Sequence, residues 1–381
     1  MVKLMARGSI ATRGSSYRVR VSYQENGKRQ MVTKTAPSRR QAEKLRTEML
    51  GEIDKGSYIK PSKFTTEAYL KEWLTGLPST VSPRTCQLYE YICRIHLIPA
   101  FGSMPLSQLR SQRIQALYAS KLEQGLSPRT VQLLHVCLHK SLSVAVKTGI
   151  LIHSPMDGVD TPKVERHEMK TMTEADISLF LNEARKGEYC SLFFTYLFTG
   201  LRRSEGLSLR WSDVDLLGCQ LSVNKTMQVM NKTVTFKAPK TSSSRRQIAL
   251  TPSTCVVLRL HREAQDVVRQ RTGLPPVTDN DLVFCQYDGS PLLPDSITHA
   301  WIKLTRRCGL DGVRLHDARH THASLMLKGG VSPKVIQEKL GHSSFSTTMN
   351  LYAHVSPGMQ KEAANRFDDM VIGRDKFVTI P

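Results

Sequence analysis

The chain has 381 residues, enough for two or three domains with cores of their own. Its 54 Lys and Arg against 33 Asp and Glu give a formal charge of +21, which points to a polyanionic partner: nucleic acid first, with basic enzymes and anionic-membrane binders as alternatives. Hydrophobic residues at 40% and aromatics at 7% exclude a disordered basic tail. The eight cysteines are scattered with no C-x-x-C pair, which argues against a zinc ribbon or a secreted disulfide framework and for a reducing compartment. Met1 to Thr12 has no apolar h-region, and no run of about eighteen apolar residues occurs. A soluble cytoplasmic protein, with no membrane partner, is the expectation.

In chain order, Tyr17, Val19, Val21 and Tyr23 alternate with Arg18, Arg20 and Ser22, the period-two pattern of a half-buried strand. Asn26-Gly27 supplies a hairpin turn, and Arg29 to Lys34 reads as the return strand. A strand around Ser9 to Thr12 would complete a three-stranded sheet. A helix capped by Ser38 follows, with Ala42, Leu45, Met49 and Ile53 along one face. The first sixty residues carry fourteen Lys and Arg against five Asp and Glu. That density suits a DNA groove, or else the solvated basic face of a small α+β module. Arg18 and Arg20, projecting from one sheet face, are the candidate groove contacts, since strands of this width enter the major groove.

Residues 62 to about 163 read as helical and contain an internal echo. Ser82-Pro83-Arg84-Thr85 recurs as Ser127-Pro128-Arg129-Thr130, in each case Ser as the cap and Pro at the first helical position. Arg84 and Arg129 then stand beside free N–H groups at a positive helix end, a ready phosphate site; ordinary capping with a surface arginine explains the same residues. Pro155, Pro162 and the charged run from Lys163 to Lys170 mark a linker.

From Met172 a further domain begins, with Thr173-Glu174-Ala175-Asp176 as a capping pattern. Phe193 to Gly200 reads as a buried helix leading into Arg202. Leu221 to Val223, Val234 to Phe236 and Arg246 to Leu250 read as short strands, with Lys240 in the turn before the last. His316 and Arg319 share one face of a helix running to about Lys328. Ser332-Pro333 opens another helix that Gly341 ends as its left-handed cap, with His342 next. A short helix from about Thr347 would carry Tyr352. Ser356-Pro357 would start a last one, with Met359, Ala363, Phe367 and Met370 as an apolar stripe in need of a partner surface.

No single one of these side chains is informative. In order, however, Thr199-Gly200-Leu201-Arg202, Pro239-Lys240-Thr241, His316-Asp317-Ala318-Arg319, Leu340-Gly341-His342 and Tyr352 resemble the catalytic signature of the tyrosine recombinases, the phage and conjugative-element integrases. The match runs through the C-terminal half with no catalytic position missing. The resemblance implies a mainly α multidomain protein with small β-sheets. An arm-type DNA-binding domain (1–60, three strands and a helix) would precede a helical, SAM-like core-binding domain (61–165). A mixed α/β catalytic domain with a C-terminal exchange helix (166–381) would complete the chain.

The same resemblance implies roles. Arg202 and Arg319 would hold the phosphate oxygens with His342, a task suited to planar, permanently charged guanidinium groups. Tyr352 would be the nucleophile, His316 the acceptor of its proton, and Lys240 the donor to the leaving 5′-oxygen. Glu205, one turn beyond Arg202, would orient these groups without touching substrate. Arg84 and Arg129 would contact the DNA backbone. Implied partners are double-stranded DNA at core and arm sites, a homotetramer at synapsis, a directionality factor and a host DNA-bending protein, in the nucleoid of a bacterial host.

No Walker A or dinucleotide-binding glycine motif occurs and no H-E-x-x-H accompanies His316, His320 and His322, so neither a cofactor nor a metal is expected. The rival readings are a type IB topoisomerase, a Xer-type resolvase, which generally lacks the arm segment, and a DNA-binding regulator that keeps the fold without the chemistry.

Overall fold

The computed structural model describes residues 7–25, 28–54, 64–165, 169–239, 244–342, 365 and 367–370, with the side chains of 24, 25, 28, 52 and 54 excepted. The chain divides into two compact units, Met1–Arg166 and His167–Pro381.

The first unit opens with an antiparallel sheet of β1 (Arg7–Arg13), β2 (Ser16–Glu25) and β3 (Lys28–Ala36), in that order. The expected strand around Ser9 is therefore present; the Asn26-Gly27 turn lies outside the described residues. Register pairs Arg20 with Ser9 on one side and Thr33 on the other. Because side chains alternate across a strand, Val19, Val21 and Tyr23 are buried against α1 (Arg39–Asp54) through Ala42, Met49 and Ile53. Arg18 and Arg20 take the opposite face, the first half-buried and the second exposed. Ser38 Oγ accepts from the Gln41 N–H at 3.3 Å, the expected cap.

A second, separate core in this unit gathers α2 (Thr66–Gly76), α3 (Pro83–Ile92), α4 (Ile98–Phe101), α5 (Ser111–Glu123) and α6 (Pro128–Lys147). A π turn over Cys93–Leu97 joins α3 to α4. The sequence echo is structural: Ser82 Oγ accepts from Thr85 N at 3.3 Å and Ser127 Oγ from Thr130 N at 3.2 Å. In both copies the two hydroxyls are also 2.9 Å apart. In α6, Val131, Leu134, Leu138, Leu142 and Ala145 recur at helical spacing and are fully buried.

The second unit holds α7 (Glu174–Ala184), α8 (Cys190–Thr199), α9 (Arg203–Gly206), then β4 (Val214–Asp215), β5 (Gln220–Val223), β6 (Thr226–Met230), β7 (Thr233–Lys237) and β8 (Arg246–Ala249), and then α10 (Pro252–Arg271), α11 (Pro294–Arg307), α12 (Leu315–Lys328) and α13 (Pro333–Leu340). The capping box at Thr173 forms in both directions, 2.8 and 3.2 Å. Sequence reading expects three short strands here; β4 and β6 are additional, in a β4-β5-β8 sheet and a β6-β7 hairpin. The hairpin turns on Asn231 and Lys232, both at positive φ. The core centres on Trp301, fully buried, its ring 4.5 Å from Phe180 and 5.2 Å from Phe193, with Nε1 donating to Val313 O at 3.0 Å. Among the described residues no helix is long and apolar enough to cross a membrane.

Candidate active site

Three elements bring the site together. Helix α8 is apolar nearly all round and ends on Gly200, whose left-handed conformation (φ 67°) reverses the chain so that Arg202 stands at the N-cap of α9. Helix α12 presents His316 and Arg319 at i and i+3, as expected. Helix α13 ends on Gly341, again left-handed (φ 65°), with His342 immediately after it.

The last carbonyls of a helix have no partner within it and form the negative end of its dipole. Here three successive ones accept from three arginines: Lys339 O from Arg246 Nε at 2.6 Å, Leu340 O from Arg319 Nη2, and Gly341 O from Arg202 Nη2 at 2.9 Å. Arg319 also donates through Nη1 to Gly200 O at 2.7 Å. Glu205 completes the array. Its Oε1 accepts from Arg202 Nη1 at 2.7 Å and Arg246 Nη1 at 3.1 Å; its Oε2 accepts from the Arg202 N–H and from Arg246 Nη2, both at 2.9 Å.

The arginines are not equivalent. Arg202 keeps 33% of its side chain open, whereas Arg246 keeps 6% and Arg319 is 3% exposed. Burial, then the charge of Arg202, pushes Arg319 down to about 9, which still leaves it charged at neutral pH. Burial alone would raise the Glu205 carboxyl, but the Arg246 bonds and charge, followed by Arg202, hold it below its ordinary value.

The histidines of the site are neutral at pH 7. Partial desolvation, then His320 and Arg319, pushes His316 down to about 4; burial, then Arg319 and Arg202, pushes His342 to about 3. His316 and His320 pack edge to face, 4.9 Å between centroids, while His322 turns its Nδ1 to Leu197 O at 2.9 Å. A neutral imidazole amid guanidinium groups is a proton acceptor, and the surplus of positive charge suits an anion with several oxygens.

The structure thus brings together Arg202, Glu205, His316, Arg319 and His342. Lys240 and Tyr352 lie outside the described residues, as do the expected helix from Thr347 and the start of the last one at Ser356. Arg18, Arg20, Arg84 and Arg129 belong to the first unit, the last two exposed in the first turns of α3 and α6. Sequence reasoning missed Arg246, taken only as a strand residue. The signal was there: Arg246 shares its strand face with Ile248, which is 1% exposed, and a charge on an inward face calls for a buried partner.

Comparison with known proteins is decisive here. The phage integrase family model matches residues 165–359, and that of the phage integrase N-terminal SAM-like domain matches residues 65–122. The chain belongs to the phage integrase family, the tyrosine recombinases. Within it, the ICEBs1 integrase of Bacillus subtilis is 26% identical over 347 residues, covering 91% of this chain and 94% of that one. A XerC-like tyrosine recombinase of Caldanaerobacter subterraneus is 28% identical over 381 aligned positions, covering 93% and 96%. Among solved structures, the Tn1549 transposon integrase in complex with a circular intermediate DNA has a TM-score of 0.68 at 19% identity, covering 80% of this chain and all of that one. A lambda integrase tetramer bound to a Holliday junction has a TM-score of 0.60 at 17% identity, covering 90% and 94%. The two solved structures share the fold over 80% and 90% of this chain.

Proposed function

We propose that this recombinase cuts and rejoins double-stranded DNA at specific sites to integrate and excise a mobile element, with an arm-type DNA-binding domain over 1–60, a core-binding domain over 61–165 and a catalytic domain over 166–381. The observation that carries the reading is the convergence of Arg202, Arg319, His316, His342 and Glu205 on the end of α13, just ahead of Tyr352 in the sequence.

The Tyr352 phenol, with an ordinary pKa of about 10, attacks the scissile phosphorus as His316 takes its proton. A phosphorus–oxygen bond to tyrosine forms and the bond to the 5′-oxygen breaks, giving a 3′-phosphotyrosyl enzyme. Lys240 supplies the proton to the departing 5′-oxygen. Arg202, Arg319 and His342 hold the non-bridging oxygens, where each donor aimed at developing charge contributes roughly 3–4 kcal/mol in the transition state. The ester conserves the bond energy, so a 5′-hydroxyl from the second duplex reverses the step without ATP. Two such exchanges pass through a Holliday junction.

The assembly is a homotetramer on paired sites, aided by a directionality factor and a host bending protein. Phe367 and Met370 support exchange of the C-terminal segment between subunits, since they are 65% and 82% exposed. Arg18 and Arg20 serve the arm site, Arg84 and Arg129 the core backbone.

The deciding experiment incubates the protein with a nicked duplex carrying the DNA repeat that borders its coding region and looks for a covalent adduct on a denaturing gel. Tyr352→Phe retains binding and loses the adduct. Lys240→Ala slows cleavage except on a substrate with a 5′-bridging thiolate. A DNA-binding regulator gives no adduct with wild-type protein, and a topoisomerase relaxes supercoiled plasmid lacking the repeat. Deleting residues from Ser356 onward leaves duplex binding and abolishes tetrameric complexes; tetramers formed by the truncated chain would refute the exchange.

A further inference from the structure

Arg246 has no part in the chemistry described above, yet four hydrogen bonds hold its guanidinium. It opens β8, in register with Val223 of β5. Its guanidinium bridges both oxygens of Glu205 at 3.1 and 2.9 Å, reaches Lys339 O at 2.6 Å, and meets Ser244 O at 3.2 Å. With four of its five N–H groups engaged by these bonds, it has no free edge to offer a phosphate.

We propose that Arg246 is a positioning residue for DNA cleavage: by saturating Glu205 and tying it to the end of α13, it keeps the Arg202 guanidinium turned toward the scissile phosphate. This rests on the reading of the site as a phosphate-cleaving centre.

The argument is one of competition for a carboxylate. Glu205 stands three residues after Arg202, a spacing at which a free carboxylate and a guanidinium close into a two-pronged pair. Such a pair would use the edge of Arg202 that the phosphate needs. In the structure Arg246 takes the second prong. Oε2 is filled by Arg246 Nη2 and the Arg202 backbone N–H, so the Arg202 side chain meets Glu205 through Nη1 alone. Its Nη2 is held by Gly341 O, one residue from His342, and a third of the side chain stays open. Arg246 also grips Lys339 O, and Arg319 the next carbonyl. One rigid helix end therefore sets the spacing of Arg202, Arg319 and His342. Lysine cannot replace this, because a point charge does not bridge two oxygens and a carbonyl at once.

The test compares wild type, Arg246→Lys and Arg246→Met as full-length proteins, in single-turnover cleavage of the nicked duplex at saturating protein. Each is assayed on the ordinary phosphodiester and on a duplex whose scissile phosphate carries a methyl group in place of one non-bridging oxygen. That neutral phosphorus centre has less charge for Arg202 to balance. Both variants are expected to bind the duplex within about threefold of wild type and to cleave the phosphodiester about 100-fold more slowly, the usual scale for one misplaced charge-stabilising donor. On the methylphosphonate the deficit should shrink to within about tenfold, a change that a general loosening of the fold does not produce.

Equal deficits on the two substrates, or cleavage within about threefold of wild type on the phosphodiester, would overturn the proposal. So would failure of both variants to fold, since Arg246 would then be holding the domain and not Arg202. If wild-type protein itself forms no adduct, it is the underlying reading of the site that fails.

Discussion

Arg319 and Gly200, 119 positions apart in the chain, are joined by a 2.7 Å hydrogen bond from the guanidinium Nη1 to the glycine carbonyl. Gly200 can offer that carbonyl because its left-handed backbone ends α8 and swings the peptide toward α12. The position is tight as well as strained. A methyl group there would stand 2.5 Å from Leu340 Cδ2 and 3.0 Å from His322 Cδ2. Gly200→Ala therefore combines a left-handed alanine with a clash against α13, for a cost of about 2–4 kcal/mol. A thermal melt should show a lower Tm, and cleavage should fall more than DNA binding. An unchanged Tm would mean that α8 and α13 do not approach as described.

Acid should weaken the second unit before it reaches the carboxylates. His322 is held by Leu197 O at Nδ1, and its other nitrogen is buried without a partner among the described residues. Burial, then Lys339, pushes it down to about 4 from 6.5. Its folded form therefore resists protonation more than its unfolded form. The stability this represents is present above pH 6.5 and is lost as the pH falls toward 4, by roughly 3 kcal/mol over that window. Glu205 has the same sign lower down: its stabilisation is present above 4.5 and lost below, as the pH falls through its depressed value. Urea midpoints measured from pH 7.5 to 4.5 should decline, and His322→Gln should flatten the upper part of that slope. A flat profile for wild type would remove the buried neutral histidine from the account.

Much of this was legible because local chemistry and fold agree. The alternation from Tyr17 to Tyr23 gave a strand with Val19 and Val21 inward. The paired Ser-Pro-Arg-Thr segments gave two helix starts, and Gly341 gave a helix end with His342 beyond it. The order of motifs named the chemistry. What the sequence concealed is long-range. Nothing local tells that Lys339, Leu340 and Gly341 will turn three consecutive carbonyls onto Arg246, Arg319 and Arg202, since those contacts span up to 139 positions. Nor does the pattern of β6 separate it from a loop, because its burial is partial along nearly its whole length.

The repeated helix starts of the first unit make a quantitative prediction. Arg84 and Arg129 are exposed in the first turns of α3 and α6, beside caps with the same geometry. Each neutralised phosphate contributes about 0.9 to the slope of log K against log salt for duplex DNA. Replacing both arginines by alanine should lower that slope by about two while leaving sequence preference alone. The measurement is a fluorescence-anisotropy titration at several salt concentrations. A slope equal to wild type would place these arginines away from the DNA, and ordinary capping would then suffice.

Glu205 offers the sharpest test of the buried network, since a change of one heavy atom should break it. Its carboxylate is 4% exposed and serves two guanidinium groups and one backbone N–H. Glutamine keeps the shape but replaces one acceptor with an NH2 donor that must face a donor. It also leaves two cations without the anion between them. Breaking a buried pair from one side costs about 3–5 kcal/mol, because the remaining charge stays desolvated. Glu205→Gln should therefore lower stability by about that amount, whereas Glu205→Gln combined with Arg246→Met should recover part of the loss by removing the stranded cation. Chemical denaturation of the four proteins gives the coupling directly. Strict additivity of the two substitutions would show that Glu205 and Arg246 do not act as a unit, and the geometry at the end of α13 would lose its energetic meaning.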